Sequence, residues 1–273
     1  MLAEVISIET PGTPLDGLFY DPPTLRARAA AMLMHGGGMN FYYGAPGFLP
    51  GYLRGIGMAA LAFNRHAHDT VSARTRAAEG NAYQTAAQGI ADNEQAAEWL
   101  KARGYDAPVV IGHSTGGILG TEHVVNHPET PALVLLSANL GGEELLRRVS
   151  RSGLLAGDRL PELLHEAHAL VDAGRPDRLM LLPGRDYVIT AGSLVDLEVN
   201  TPILLDNARR ITCPVLYVRG DHEDGDTYPG ERFAELAGGP VEVHVVEDCD
   251  HFYTGREHEI GVVVAEWLDR VLD

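Results

Sequence analysis

The sequence has few cysteines, no long apolar run and few basic residues. Only Cys213 and Cys249 occur among 273 residues, which excludes a disulfide-stabilised scaffold and favours a reducing compartment. No stretch reaches the roughly 18 to 20 apolar residues that span a bilayer, and the first residues lack the basic and apolar regions of a secretory signal. We therefore expect a cytoplasmic protein that does not enter a membrane.

Basic residues are outnumbered, with 21 Lys and Arg against 38 Asp and Glu and a net charge of −17. Nucleic acids and anionic membranes are therefore disfavoured as partners, because both attract proteins through clustered Lys and Arg. The remaining expectation is a small-molecule substrate. A homodimer is compatible with the sequence, which does not set the oligomeric state.

Short apolar runs alternate with helix-length segments along most of the chain, and 45% of the residues are hydrophobic. This alternation predicts the α/β class, with a doubly wound, mostly parallel sheet. Strands are predicted at 2–8, 15–20, 28–34, 59–64, 109–112, 132–137, 215–219 and 241–246, and helices at 45–57, 82–103, 116–127, 229–237 and 256–272.

The alternation stops between residues 141 and 211, where the pattern is helical at first and then loop-like, and no buried strand is predicted. We expect a core formed by residues 1–140 and 212–273, with 141–211 as a mainly helical cap inserted at the C-terminal ends of the strands.

The most informative motif is Gly112-His113-Ser114-Thr115-Gly116, between a predicted strand and a predicted helix. A serine on so tight a turn needs small neighbours, and the helix that follows directs its N-terminal N–H groups at negative charge. Ser114 is the candidate nucleophile. The alternative is an ordinary strand-to-helix turn in which Ser114 caps the helix.

A glycine-rich stretch, His35-Gly36-Gly37-Gly38, follows the strand at 28–34. Its unshielded backbone N–H groups, those of Gly37 and Gly38, are candidates to bind an oxyanion together with the N–H of Thr115. A phosphate loop or a simple turn are alternatives, but the spacing fits neither a dinucleotide-binding motif nor a P-loop.

A serine nucleophile needs a general base and an acid that orients it. His251 follows the last strand and precedes the final helix, and it is the predicted base. The acid is expected in the loop after the strand at 215–219, where Glu223, Asp224 and Asp221 are all candidates. Six other histidines are assigned to packing or to the surface: His123, His127, His165, His168, His244 and His258.

Together these motifs, in this order, resemble the α/β-hydrolase family over essentially the whole chain. The resemblance implies Ser114 as nucleophile, His251 as base and the acid three residues after Gly220. That position holds Glu223 where the family usually has Asp, so Asp224 and Asp221 stay open. H-G-G-G-M-N-F-Y-Y-G at 35–44 and N-R-H-A-H-D at 64–69 also resemble a hydrolase subgroup, which places both loops at the site.

The expected substrate is a small apolar or aromatic carboxylic ester or lactone, cleaved through an acyl-enzyme. A thioester or a carbon–carbon bond would suit the same triad, and a non-catalytic ligand-binding protein is the alternative of another class. Predicted pocket residues are Met39, Phe41, Tyr42, Tyr43, His113, Tyr187 and Phe252. No cofactor is expected, and no metal, because His66, His68 and Asp69 form only part of a metal signature.

Overall fold

An eight-stranded sheet forms the centre of the molecule. The computed structural model describes residues 2–22, 27–71, 78–184 and 187–272. The strands of the sheet are β1 Glu4–Ile8, β2 Leu15–Tyr20, β3 Ala30–Met34, β4 Ala59–Phe63, β5 Val109–His113, β6 Leu133–Leu136, β9 Val215–Gly220 and β10 Val241–Val246. They are arranged in the order β1-β2-β4-β3-β5-β6-β9-β10, in which β2 runs antiparallel to both of its neighbours and the other pairs are parallel. The predicted fold class is confirmed.

Helices cover both faces of this sheet, because its central strands are apolar on both sides. In β3, Met32 and Met34 belong to one core cluster, whereas Ala31 and Leu33 belong to another on the opposite face. The helices are α1 Ala45–Gly55, α2 Ala86–Ala102, α3 Thr115–Asn126, α4 Gly142–Arg151, α5 Leu160–Asp172, α6 Ala191–Val199, α7 Leu204–Ala208, α8 Gly230–Leu236 and α9 Glu257–Val271. Helices α1 and α9 pack on one face, and α2, α3, α7 and α8 on the other.

The segment 141–211 contains a small sheet that the sequence analysis missed. Strands β7 Leu179–Leu182 and β8 Tyr187–Thr190 pair antiparallel, which corrects the expectation of a strand-free insertion. In β7 only Met180 and Leu182 are buried, so this strand has the alternating pattern of a half-exposed hairpin and not a continuous apolar run. With residues of α4, α5 and α6, the hairpin forms a separate apolar cluster.

The parallel strands place their carboxyl ends, and the loops that follow them, along one edge of the sheet. His35 follows β3, Ser114 follows β5 and Ser137 follows β6, while Glu223 and His251 lie in the loops after β9 and β10. This edge is where ligands bind in open α/β sheets. Among the described residues, no helix is long and apolar enough to cross a membrane.

Candidate active site

Ser114 lies on a strained turn between β5 and α3. Its backbone has φ 53° and ψ −121°, in the left-handed region that non-glycine residues rarely occupy. The turn needs glycine around it: a Cβ on Gly112 would lie 2.4 Å from the Gly116 carbonyl oxygen, and one on Gly116 would lie 2.4 Å from the Met34 carbonyl oxygen. This packing explains the G-x-S-x-G spacing, and it fixes the serine at the sheet edge.

The structure brings Glu223 to His251, and neither Asp224 nor Asp221. His251 Nδ1 donates a hydrogen bond to Glu223 Oε1 over 2.7 Å, and the Glu223 side chain is only 3% exposed. Asp224 Oδ2 instead accepts bonds from the N–H and hydroxyl of Thr227, and Asp221 accepts the N–H of Cys249. Of the three candidates, only Glu223 can orient the imidazole.

The second oxygen of Glu223 is held by residues that the sequence analysis missed. Ser137 Oγ donates to Glu223 Oε2 over 2.6 Å, and the N–H of Gly220 donates to the same oxygen over 2.9 Å. The Tyr253 hydroxyl lies 2.7 Å from Ser137 Oγ, and burial holds the pKa of Tyr253 well above its usual value. The buried carboxylate is therefore fully hydrogen-bonded, as a buried charge requires.

His251 contacts His113, the residue next to Ser114 in the chain. The His113 ring centroid is 4.9 Å from that of His251, and His113 Nε2 donates to the His251 carbonyl over 2.9 Å. Burial, aided by the charge of His251, lowers the pKa of His113 to about 3, so His113 stays neutral at pH 7. Within the described part of the chain, no hydrogen bond joins Ser114 Oγ to His251; such bonds often form only with substrate present.

The glycine-rich loop lies against the start of α3. A Cβ on Gly37 would lie 3.3 Å from Thr115 Oγ1, so the loop and the helix N-terminus meet. The N–H groups of Gly37 and Thr115 have no hydrogen-bond partner among the described residues. Gly38 differs from its predicted role, because its N–H already donates to Asn81 Oδ1 over 2.9 Å. Two of the three predicted oxyanion donors are thus free.

Buried polar contacts hold this loop in place. His35 Nε2 accepts the N–H of Arg65, so its Nδ1 carries the proton that it donates to the Gly36 carbonyl. Burial lowers the pKa of His35 well below its usual value, so this tautomer is neutral. The Arg65 guanidinium also donates to the His35 carbonyl. Arg65 lies in the 64–69 motif that was expected at the site, although no role was assigned to it. Asn81 was not predicted, since nothing in the local sequence marks it.

The two loops expected at the site do contact each other. The N–H of Phe41 donates to Asn64 Oδ1 over 2.9 Å, and Asn40 Nδ2 donates to Asp69 Oδ1 over 3.0 Å. The histidines of the second loop bond to carboxylates: His66 Nδ1 is 2.7 Å from Asp92 and His68 Nδ1 is 2.8 Å from Asp69. These contacts stabilise the loop behind the glycine-rich stretch.

A cleft of about 740 Å³ opens beside His251. Its apolar lining comes from Val149 and Leu154, in and after α4, and from Tyr228, whose ring centroid is 5.3 Å from that of His251. None of the predicted pocket residues lines this cleft. Met39 is buried beside Gly36 and Gly44, Phe41 packs on the core, and Tyr42 and Tyr43 are exposed. The Phe252 ring contacts those of His113 and His251, and the Tyr187 hydroxyl accepts bonds from Asn81 and Gln84.

Comparisons with known proteins agree with this architecture. Residues 31–265 match the model of the alpha/beta hydrolase family. A search of curated proteins finds no match. The fold is similar to that of Est1E from Butyrivibrio proteoclasticus with ferulic acid bound, with a TM-score of 0.72, 18% identity and coverage of 96% of this chain and 97% of the other.

Two further solved structures are similar at this level. The alpha/beta hydrolase GrgF from Penicillium sp. sh18 has a TM-score of 0.75 and 13% identity, and the match covers 100% of this chain and 99% of that one. A thermostable carboxyl esterase from Bacillus coagulans has a TM-score of 0.75 and 12% identity, with both chains covered to 100%. At these sequence identities the similarity is one of fold alone.

Proposed function

Because the chain belongs to the alpha/beta hydrolase family, we propose that it is a serine hydrolase with Ser114, His251 and Glu223 as its catalytic triad. The observation that carries the proposal is the 2.7 Å hydrogen bond from His251 Nδ1 to the buried Glu223. That bond leaves Nε2 of the imidazole as the basic nitrogen. His113, the residue before Ser114, has its ring centroid 4.9 Å from that of His251, and Ser114 itself is held at φ 53°.

In the first half of the reaction, Ser114 Oγ bonds to the acyl carbon while its proton passes to His251 Nε2. The carbonyl oxygen becomes an oxyanion, which the N–H groups of Gly37 and Thr115 bind. Glu223 stabilises the imidazolium. When the oxyanion collapses, the bond to the alkoxy group breaks, and that group leaves with the proton from His251.

In the second half, water replaces the alcohol. His251 takes a proton from the water as its oxygen attacks the acyl carbon, and the bond to Ser114 Oγ breaks as the serine regains its proton. The chemistry needs no cofactor. Each oxyanion donor is worth about 3 to 4 kcal/mol of barrier in such enzymes.

The proposed substrate is a carboxylic ester or lactone with a small apolar or aromatic acyl group. The cleft beside His251 combines Val149, Leu154 and Tyr228 with polar side chains at its rim. Segment 141–211, which contributes Val149 and Leu154, is proposed to act as a cap. Est1E with ferulic acid bound, a similar fold, is consistent with an aromatic acyl group.

A fluorophosphonate probe tests the nucleophile directly, because a reactive serine displaces its fluoride and forms a covalent bond to phosphorus. We expect the wild-type protein to be labelled at Ser114 and to hydrolyse p-nitrophenyl esters. Ser114→Ala should lose labelling and at least about 10³-fold in kcat, with an unchanged circular dichroism spectrum. An unlabelled wild-type protein would instead favour a non-catalytic ligand-binding role.

Acyl preference is tested separately with methyl esters of a cinnamic acid and of a short alkanoic acid. We expect a higher kcat/KM for the aromatic ester, and Leu154→Ala should reduce that advantage. Equal values for both esters would leave the triad intact and refute the substrate class.

A further inference from the structure

A cluster of metal-ligating side chains lies between α2 and α3, apart from the candidate active site. Glu94 on α2 faces His123 on α3 and His127, the residue that caps the C-terminal end of α3. Glu94 Oε1 is 2.8 Å from His123 Nδ1, and Glu94 Oε2 is 2.7 Å from His127 Nε2. The ligand atoms of the three residues all lie within 4.8 Å of one another. Neither histidine was predicted to have a function.

The helices direct these side chains to one point. His123 and the C-cap residue His127 are four residues apart, and the N–H of His127 donates to the His123 carbonyl over 2.9 Å, so they are adjacent at the end of α3. Their rings stack with centroids 4.3 Å apart and an interplanar angle of 26°. The His123 side chain is 3% exposed. A buried imidazole next to a second imidazole, with both aimed at one carboxylate, is an arrangement that a cation stabilises.

A fourth residue supports the cluster from outside. Glu129 Oε1 is 3.2 Å from Nδ1 of His127, the ring nitrogen that does not face Glu94. A histidine that binds a metal through one nitrogen usually donates the other N–H to a carboxylate, which fixes its tautomer and orientation. His127 thus faces Glu94, the other residue of the cluster, through Nε2 and the orienting carboxylate of Glu129 through Nδ1.

Space is available beside the cluster. A cavity of about 150 Å³ is lined by His123, His127 and Glu129 but not by Glu94, so it offers room for a water ligand beside the two imidazoles. Lys101 also lines it, but its ammonium lies 3.3 Å from Glu98 on the same helix.

We propose that Glu94, His123 and His127 form a binding site for a divalent transition metal of the Zn²⁺ type. Zn²⁺ prefers His nitrogen and carboxylate oxygen at about 2.0 to 2.2 Å in a tetrahedral site, often with water as fourth ligand. Ligand atoms in such a site are about 3.3 Å apart, so the half-exposed Glu94 carboxylate needs only a small shift. The metal replaces the protons shared between the carboxylate and the two imidazoles.

The role of this site is structural. α3 starts at Thr115 beside Ser114, and His123 lies eight residues further along the helix, about 12 Å away at 1.5 Å per residue. A metal there joins α3 to α2 without contact with the reacting atoms. The inference therefore stands independently of the proposed hydrolase activity.

The test adds ZnCl₂ to the metal-free protein at neutral pH and measures binding by calorimetry and Tm by thermal unfolding. We expect one ion per chain, a rise in Tm and an unchanged kcat for ester hydrolysis. Glu129→Gln should weaken binding roughly 10-fold to 100-fold, and Glu94→Gln or His127→Gln should weaken it more. Co²⁺ should give a visible spectrum without thiolate bands, which excludes Cys213 and Cys249 as ligands.

Two variants serve as matched controls. Glu166→Gln and His165→Gln, both at exposed positions on α5, should bind Zn²⁺ as the wild type does. The proposal would be overturned if the wild type did not bind Zn²⁺. It would also be overturned if His127→Gln and Glu94→Gln bound Zn²⁺ with the affinity of the wild type. If those two variants fail to fold, the exposed Glu129→Gln decides the question, because an affinity equal to that of the wild type would refute the site.

Discussion

Ser137 Oγ donates a 2.6 Å hydrogen bond to Glu223 Oε2, the oxygen that His251 does not use. Ser137 itself is fully buried and has φ 46°, an uncommon backbone conformation for a serine. The turn after β6 therefore directs a hydroxyl at the carboxylate of the proposed triad. In the proposed mechanism Ser137 is a positioning residue, because its hydroxyl contacts Glu223.

Removal of this hydroxyl should slow the reaction without weakening substrate binding. Hydrogen bonds to charged groups are worth about 1.5 to 3 kcal/mol, and Glu223 keeps its bond from the Gly220 N–H. We expect Ser137→Ala to lower kcat by roughly 10-fold, with KM unchanged. Steady-state kinetics with a p-nitrophenyl ester measures both constants.

A purely structural role for Ser137 predicts something else, namely a lower Tm with normal kcat in the folded fraction. Ser7→Ala is the control, since Ser7 is an exposed serine on β1, outside the candidate site. Its kcat should equal that of the wild type.

The acid assignment can be tested with two isosteric changes. Glu223→Gln keeps the shape but removes the charge that stabilises the His251 imidazolium, and it should lower kcat by roughly 10²-fold to 10⁴-fold. Asp224→Asn should retain near-normal kcat, because the Asp224 carboxylate bonds to Thr227 whereas His251 bonds to Glu223. An inactive Asp224→Asn beside an active Glu223→Gln would reverse the assignment.

The tight turn at Ser114 predicts intolerance of a single methyl group. In Gly116→Ala the new Cβ would lie 2.4 Å from the Met34 carbonyl oxygen and 2.6 Å from that of His35, so backbone must move. We expect about 1 to 3 kcal/mol of lost unfolding free energy, measured by urea denaturation, and loss of activity. Gly51→Ala, with no atom within 4 Å, should be neutral or slightly stabilising.

Acid should destabilise the protein partly through His113. In the folded state burial lowers the pKa of His113 to about 3, whereas the unfolded chain has about 6.5. Between these values the unfolded state binds a proton that the native state does not, so stability falls as pH falls, by up to about 1.4 kcal/mol per pH unit. The lost stability is complete only below pH 3.

The variant His113→Gln removes this proton linkage. The slope of unfolding free energy against pH, from chemical denaturation between about pH 6 and pH 4, should be shallower in the variant by up to one proton. His165→Gln, at an exposed position, controls for the loss of one histidine. An identical slope in the wild type and His113→Gln would contradict the prediction.

Much of the fold could be read from apolar runs. The predicted strands at 15–20 and 241–246 coincide with β2 Leu15–Tyr20 and β10 Val241–Val246. The hairpin of β7 and β8 was missed because each strand has four residues and β7 exposes Leu179 and Leu181. Runs that short carry no distinct period, and only their partner determines that they pair.

The candidate site divides in the same way. Ser114 and His251 could be identified from the residues next to them in the sequence. The acid could not, because Asp221, Glu223 and Asp224 lie in one loop and only the tertiary structure shows that Glu223 contacts His251. Ser137 and Asn81 carry no local mark, since their contacts span 86 residues to Glu223 and 43 residues to Gly38.

Asn81 has one further consequence. Its Oδ1 accepts a hydrogen bond from the N–H of Gly38, and its Nδ2 donates one to the Tyr187 hydroxyl. One buried amide therefore links the glycine-rich loop to β8 of segment 141–211. Substitutions in β8 that change substrate selectivity should therefore also change the turnover rate. A β8 variant designed to accept a new substrate will also shift the loop proposed to bind the oxyanion. Its design must therefore include further substitutions that restore the turnover rate.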